Sequence, residues 1–450
     1  SWLEYLPVTQ GVAGSSPVQT AIKPSIKRVF FFIILLRVKK ALILIFICTN
    51  TYSQISSKKI DRWVSKNENL KNSVVSIAIK ELNKNKKIRG ININTFMTPA
   101  SNLKILSVLG SIYAGDTIPV IKYNFSNDTL RISPTGYPLL SHPKYQNKEL
   151  EKFVNSFNHI EYNLSNTDLI KYGPAWAWDD LSYYFQAERS SMPIFGNVVQ
   201  IIKKENGDLI LTPNNFKINL DYNQKEKINR AVDENVFTVN PSLIKLGDTI
   251  YHPFISSNKV IVDLLRSSLK TSVSLSNNKL EDYKVLNSDN VDEIYSIILK
   301  KSDNLISESL AANISFRIND TISVDKGLDI IENSFKKSIS NQMELFDGSG
   351  LSRYNLITPE ALVTSLERIY LSIGLERVKR IFPNNFIIED NEDFVWGKSG
   401  TLKNNYNYSG YIITNKGKQY VFSIMINHFT EDLDKIKSAI MDFLILLKTS

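Results

Sequence analysis

Three short stretches carry residue types that can do covalent chemistry together: Ser101-Asn-Leu-Lys104, Ser302-Asp-Asn304 and Lys398-Ser-Gly400. Residues three apart on a helix share a face, so a serine and a lysine at that spacing can meet. A lysine held beside a second cation and partly desolvated loses basicity and can take the serine proton. On that logic Ser101 is the expected nucleophile and Lys104 its general base. Lys398 is the expected second cation, and its ammonium also suits a substrate carboxylate. Ser302 is expected between the two lysines, relaying a proton toward the leaving amine, while Asn304 donates to a substrate amide carbonyl. The backbone N–H groups of Ser101, at a helix N-terminus, and Thr401, on a strand edge, are expected to form an oxyanion hole. Such a set transfers acyl groups without histidine. Its weight lies in the combination and order, because Ser-x-x-Lys alone recurs at Ser56/Lys59, Ser276/Lys279 and Ser334/Lys337.

Each stretch needs an element to hold it. Thr98-Pro-Ala-Ser101 opens an expected helix running to about Tyr113, with proline early and Leu103, Leu106, Val108 and Leu109 as its apolar face. Before it, Val74–Ile79 and Ile88–Ile93 flank a polar turn and read as a hairpin. From about residue 117 to 270 the character changes to short strand-like runs between Asn/Asp/Gly turns, including Leu209–Thr212, Lys217–Leu220 and Val236–Val239. Helical spacing returns at Ile294. Gly410 to Thr414 and Tyr420 to Ile426, joined by Asn415-Lys-Gly417, read as a long hairpin, followed by an amphipathic helix from about Asp432 to Leu447. About two hundred residues separate Ser101 from Ser302, too many for a loop. The expected fold is therefore α/β (α+β), with a catalytic body formed by 58–116 and 271–450 and a β-rich insertion at 117–270.

Composition narrows the chemistry. Hydrophobic residues make up 43% of 450, enough for a large core. The net charge of +9 is concentrated at the start, where residues 1–53 hold six basic residues and one acidic, so no basic patch for nucleic acid is expected. The one cysteine, Cys48, and the four histidines show no metal-ligand spacing, so neither metal nor cofactor is expected.

Val29–Leu36 and Ala41–Ile47 are apolar runs split by Arg37-Val-Lys-Lys40. They read as a signal peptide over 29–53, cleaved near Ser53/Gln54, or as an uncleaved anchor associating with a membrane surface. Ile47 is too bulky for a lipoprotein signal at Cys48. Residues 1–28 lack an initiating methionine, and Gly14-Ser-Ser-Pro17 can be encoded by a stretch typical of a transfer-RNA arm; they are expected to be upstream translation outside the fold.

With those residues in view, residues 60 to 450 resemble the class C low-molecular-mass penicillin-binding proteins, the D-alanyl-D-alanine carboxypeptidase/endopeptidase family. The order of the three motifs is shared with them and with the related β-lactamases. So are Pro99–Lys104, Ser302–Glu308, Asp347-Gly-Ser-Gly-Leu-Ser-Arg353, Gly400-Thr-Leu before Gly410-Tyr-Ile, and Trp176-Ala-Trp-Asp-Asp180 in the insertion. The resemblance implies a β-lactamase/transpeptidase-like domain in the periplasm or outside a bacterial cell. It implies peptidoglycan stem peptides as substrate, cut at D-Ala-D-Ala or in cross-links, and β-lactams as covalent inhibitors. It also implies Ser399, Gly400 and Thr401 as substrate-binding positions, with Asp180, Phe185 and Arg353 at the diamino-acid end of the stem. The chain departs from the family at Ser399, where threonine is commoner, at Lys403, usually uncharged, and at Thr135-Gly-Tyr-Pro138, where a Gly-Asp-Pro turn is expected. These departures bear on the shape of the insertion and on the substrate range. A β-lactamase or esterase, or a non-catalytic cell-wall binder of the same fold, are the alternatives.

Overall fold

The structure is a computed structural model that describes residues 55–450 except 85, 127, 146–148, 155–156, 336–342 and 385–392. The expected leader and upstream segment, residues 1–53, lie outside the described residues. Residues 55–450 form one compact unit.

The body is built on five antiparallel strands: β1 (Val74–Glu81), β2 (Arg89–Ile91), β3 (Val395–Leu402), β4 (Asn405–Ile413) and β5 (Gln419–Asn427), in the order β3-β4-β5-β1-β2. Side chains alternate across a strand, and β5 uses both faces. Tyr420, Phe422, Ile424 and Ile426 pack with Ile436, Ile440, Phe443 and Leu444 of a closing helix, Leu433–Lys448. Val421 and Met425 enter the main core on the other side. That core holds α1 (Lys104–Tyr113), α2 (Asn304–Asn319) and α3 (Pro359–Ile381). In α2 every residue from Leu305 to Phe316 is buried, polar ones included. A helix wrapped on all sides shows no polar stripe, and its serines and asparagine must find partners inside.

The region after Gly115 is rich in strands. Leu209–Thr212, Lys217–Leu220 and Val236–Val239 lie in two three-stranded sheets. A further five-stranded sheet orders Ser272–Lys279, His159–Leu164, Thr129–Pro134, Pro119–Ser126 and Lys284–Asn287 side by side. Ser272–Lys279 runs parallel to His159–Leu164, and Lys284–Asn287 runs antiparallel to Pro119–Ser126. The β-rich region thus continues to Asn287, past the expected boundary at 270. The run Ser272-Val-Ser-Leu-Ser-Asn-Asn-Lys279 carries only a short alternation, Val273 and Leu275, and its partners lie more than a hundred residues upstream. The region shares its interior with the body, since Phe237, Val239 and Phe254 belong to the same buried cluster as Leu106 and Leu310.

Candidate active site

Ser101 stands on a single 3-10 turn, Ala100–Leu103, that leads into α1. The expected helix is present, but its first turn is wound tighter. Polar side chains from the sheet fasten this entry. Asn407 Nδ2 donates to the carbonyls of Thr98 and Pro99, each at 2.9 Å, and buried Asn102 donates to Ser409 Oγ at 2.8 Å. Two glycines let backbone approach. A Cβ on Gly400 would lie 2.6 Å from the Pro99 carbonyl oxygen and 2.9 Å from the Ser101 nitrogen. One on Gly350, whose φ is +83°, would lie 1.9 Å from the Ala100 carbonyl oxygen. Only glycine fits at such contacts. The strand carrying Lys398-Ser-Gly400 and the loop carrying Asp347-Gly-Ser-Gly350 are thereby pressed against the serine.

Lys104 is fully buried. Its Nζ donates to Asn304 Oδ1 at 2.6 Å and to the Ser349 carbonyl at 2.7 Å, and lies 2.9 Å from Ser101 Oγ. The first two partners can only accept, whereas a hydroxyl can also donate. When the amine is neutral, its two N–H bonds are held by Asn304 and Ser349, so its lone pair is left facing the serine O–H. Burial brings the Lys104 pKa down to about 8, against the pull of Asp347, Glu308 and Asp303. Of the two expected causes, desolvation is the source of this shift and the second cation is not. Lys398 is the group that feels its neighbour: burial lowers it well below its ordinary value, and the charge of Lys104 lowers it further. Lys398 Nζ donates to the Ser399 carbonyl at 2.6 Å.

A π-helical turn, Ile297–Lys301, ends at Ser302, which is left-handed with φ 59°. Asp303 then caps α2, its Oδ1 accepting from Ile306 N at 3.1 Å. The cap aims Asn304 back at Lys104. Asn304 Nδ2 donates to the Phe185 carbonyl at 2.9 Å, which fixes the amide orientation and leaves one N–H for another partner. No hydrogen bond among the described residues joins Ser302 to either lysine. Ser101, Lys104 and Asn304 are therefore directly linked, Lys398 is close enough to interact with Lys104, and Ser302 adjoins the group without a contact to it.

The other expected residues are placed less centrally. Thr401 is exposed and Ser399 half-buried on β3, on either side of Gly400. Asp180 is half-buried on the turn Trp178–Asp180. The Phe185 ring stacks on Tyr183 at 5.4 Å. Arg353 is exposed, with Nη1 3.5 Å from the Lys403 carbonyl. Neither Asp180 nor Arg353 is hydrogen-bonded to the serine–lysine group.

Further contacts support the site, and of the residues that make them Arg189 and Lys144 have no local sequence signal. Arg189 donates from Nε and Nη2 to Glu308 Oε2, at 3.0 and 2.7 Å, and both side chains are almost wholly buried (3% and 0% exposed). Burial raises the Glu308 carboxyl, and Arg189 opposes it. Trp176 Nε1 donates to Asp347 Oδ2 at 2.9 Å. Lys144 Nζ sits 3.5 Å above the Tyr184 ring and 4.3 Å from that of Tyr251, near enough to Asp303 for their charges to interact. Arg189, Trp176 and Lys144 all come from the region between α1 and α2, so it supplies the supports of Glu308, Asp347 and Asp303.

The chain resembles proteins with this geometry. Penicillin binding protein 4 of Haemophilus influenzae superposes with a TM-score of 0.66 at 20% identity, over 88% of this chain and 100% of that one. A second structure of that protein, in complex with a β-lactam, gives 0.64 at 18% identity with the same coverage. D-alanyl-D-alanine carboxypeptidase DacB of H. influenzae is 29% identical over 153 residues, 30% of this chain, and the match spans about a third (32%) of that relative's length. The fold is thus of the transpeptidase-like α/β type. The family match covers residues 164–446, which include the second and third motifs while the Ser101 helix lies ahead of them, and it shows that the chain belongs to the D-Ala-D-Ala carboxypeptidase 3 (S13) family.

Proposed function

We propose that the protein is a secreted or periplasmic serine DD-peptidase acting on peptidoglycan stem peptides. It removes terminal D-Ala from D-Ala-D-Ala ends and also cuts cross-links. The observation that carries this reading is the buried Lys104 amine, less basic than an ordinary lysine, with its free position on Ser101 Oγ.

Ser101 Oγ attacks the scissile carbonyl carbon while its proton passes to Lys104 Nζ. The N–H groups of Ser101 and Thr401 hold the oxyanion. As the C–N bond breaks, Lys104 Nζ gives up the proton it took from Ser101, which reaches the leaving amine by way of Ser302 once that hydroxyl turns toward the lysine, and an ester remains on Ser101. Water then attacks the ester, giving a proton to Lys104, and as the C–O bond breaks Lys104 returns that proton to Ser101 Oγ, restoring both groups. Asn304 uses its remaining N–H on the substrate amide, and Lys398 binds the terminal carboxylate. Ser399, Gly400 and Thr401 line the acyl chain, while Asp180, Phe185 and Arg353 meet the diamino-acid end. A β-lactam enters as a substrate whose ester is slow to hydrolyse. No helix among the described residues is long and apolar enough to cross a membrane. The expected membrane-surface association rests on residues outside those described.

Intact-protein mass after incubation with benzylpenicillin tests the proposal. A stable penicilloyl adduct on the wild type and none on Ser101→Ala is expected. Drug turnover without an adduct would mean a β-lactamase, and neither adduct nor turnover a binding protein.

A further inference from the structure

The loop that presents the Phe185 carbonyl to Asn304 also forms one wall of a separate cavity of ≈ 580 Å³. None of the residues assigned to the acyl-transfer site lines it. Its floor is already satisfied: Glu188 accepts from Tyr172 Oη at 2.8 Å and from Ser256 N at 2.9 Å, and pairs with Lys171 at 3.1 Å. Its rim is not. Trp178 leaves 71% of its surface open, and Asp179, Ser182, Asn229 and Asp233 are exposed beside it. Arg230 is held rigid by the carbonyls of Pro253, Ala231 and Val232, at 3.1, 2.7 and 3.1 Å, with Nη2 unpartnered among the described residues.

These groups select a chemical class. A flat exposed indole binds an apolar face, and its N–H is a hydrogen-bond donor at the edge. Carboxylates, an amide, a hydroxyl and a guanidinium around it match a ligand with many groups that both donate and accept. The charged side chains of the lining, Lys171 and Arg230 against Asp179, Glu188 and Asp233, nearly cancel, and Tyr172 and His252 are neutral, so a polyanion is not favoured. A neutral sugar chain fits on both counts, with pyranose C–H faces on the indole and hydroxyls on the rim.

We propose that this cavity binds the amino-sugar glycan strand to which the stem peptide is attached, while the peptide enters the Ser101 site. The proposal rests on the peptidoglycan reading for its ligand, though its test does not depend on catalysis. Calorimetric titration of chitotetraose into the Ser101→Ala protein is expected to show saturable binding. Adding Trp178→Ala should weaken it by about tenfold or more, as loss of an aromatic anchor does. Asn229→Ala, an exposed change elsewhere in the lining, should weaken it as well, and melting temperatures of both variants should stay near the parent's. No saturable binding, or binding indifferent to both substitutions, overturns the proposal. Failure of the peptidase reading would appear elsewhere, in the absence of a penicilloyl adduct on the wild type.

Discussion

The chemistry of this site depends on one buried amine. Lys104 has two of its N–H bonds tied to pure acceptors, so its protonation state decides whether a lone pair faces Ser101. Burial lowers its pKa to about 8, so the base form is the minority species below that value and the majority above. The second-order rate of acylation by benzylpenicillin should therefore rise about tenfold per pH unit on the acid side and level off above about pH 8. A flat profile from pH 6 to 9 would remove Lys104 as the base. Lys104→Arg keeps a cation that cannot deprotonate, and the adduct should then form at least about a thousandfold more slowly. The nearness of the two lysines bears on Lys398 more than on Lys104.

Elements place these residues through backbone contact rather than side-chain packing. Strand β3 meets the Ser101 turn at Gly400, where a methyl group would press on the Pro99 oxygen and the Ser101 nitrogen. Gly400→Ala should cut the acylation rate about a hundredfold, the scale expected for a shift near 1 Å at a reacting group. Unchanged acylation would show that this contact does not set the geometry. Helix α2 is tied to the region between α1 and α2 by the pair Arg189–Glu308. Breaking a buried ion pair from one end strands a charge, so Arg189→Met should destabilise the protein by about 3–5 kcal/mol in urea unfolding. Arg189→Met with Glu308→Leu should recover much of that loss. A double variant as unstable as the single one would argue against this account.

Across the whole molecule, the region between α1 and α2 acts as part of the active-site body. Its Phe185 carbonyl holds Asn304, Arg189 pairs with Glu308, and Trp176 holds the Asp347 loop. It also shares one buried cluster with α1 and α2. Calorimetric unfolding should accordingly show one cooperative transition for both parts. Two well-separated transitions would mean that the insertion is only appended to the body.

The first motif's helix, the final hairpin and its closing helix were legible because each is written in short-range terms. A proline opens a helix, Leu103, Leu106 and Leu109 recur on one face, and apolar strands flank an Asn-Lys-Gly turn. The order of Ser101-x-x-Lys104, Ser302-x-Asn304 and Lys398-Ser-Gly400 likewise pointed to acyl transfer as the proposed reaction type, since residue kinds at fixed spacing constrain chemistry before any fold is known. Burial is different, being decided by segments remote in sequence. Ser272–Lys279 is a strand only because His159–Leu164 lies beside it, which moved the edge of the insertion to Asn287. Arg189 and Lys144 have no periodicity that sets them apart from surface cations, yet one is sealed against Glu308 and the other lies over two tyrosine rings. By itself the sequence determined which groups can react and in what order they occur. Only the tertiary structure decided which of them are dehydrated, and it is dehydration that lowers the basicity of Lys104.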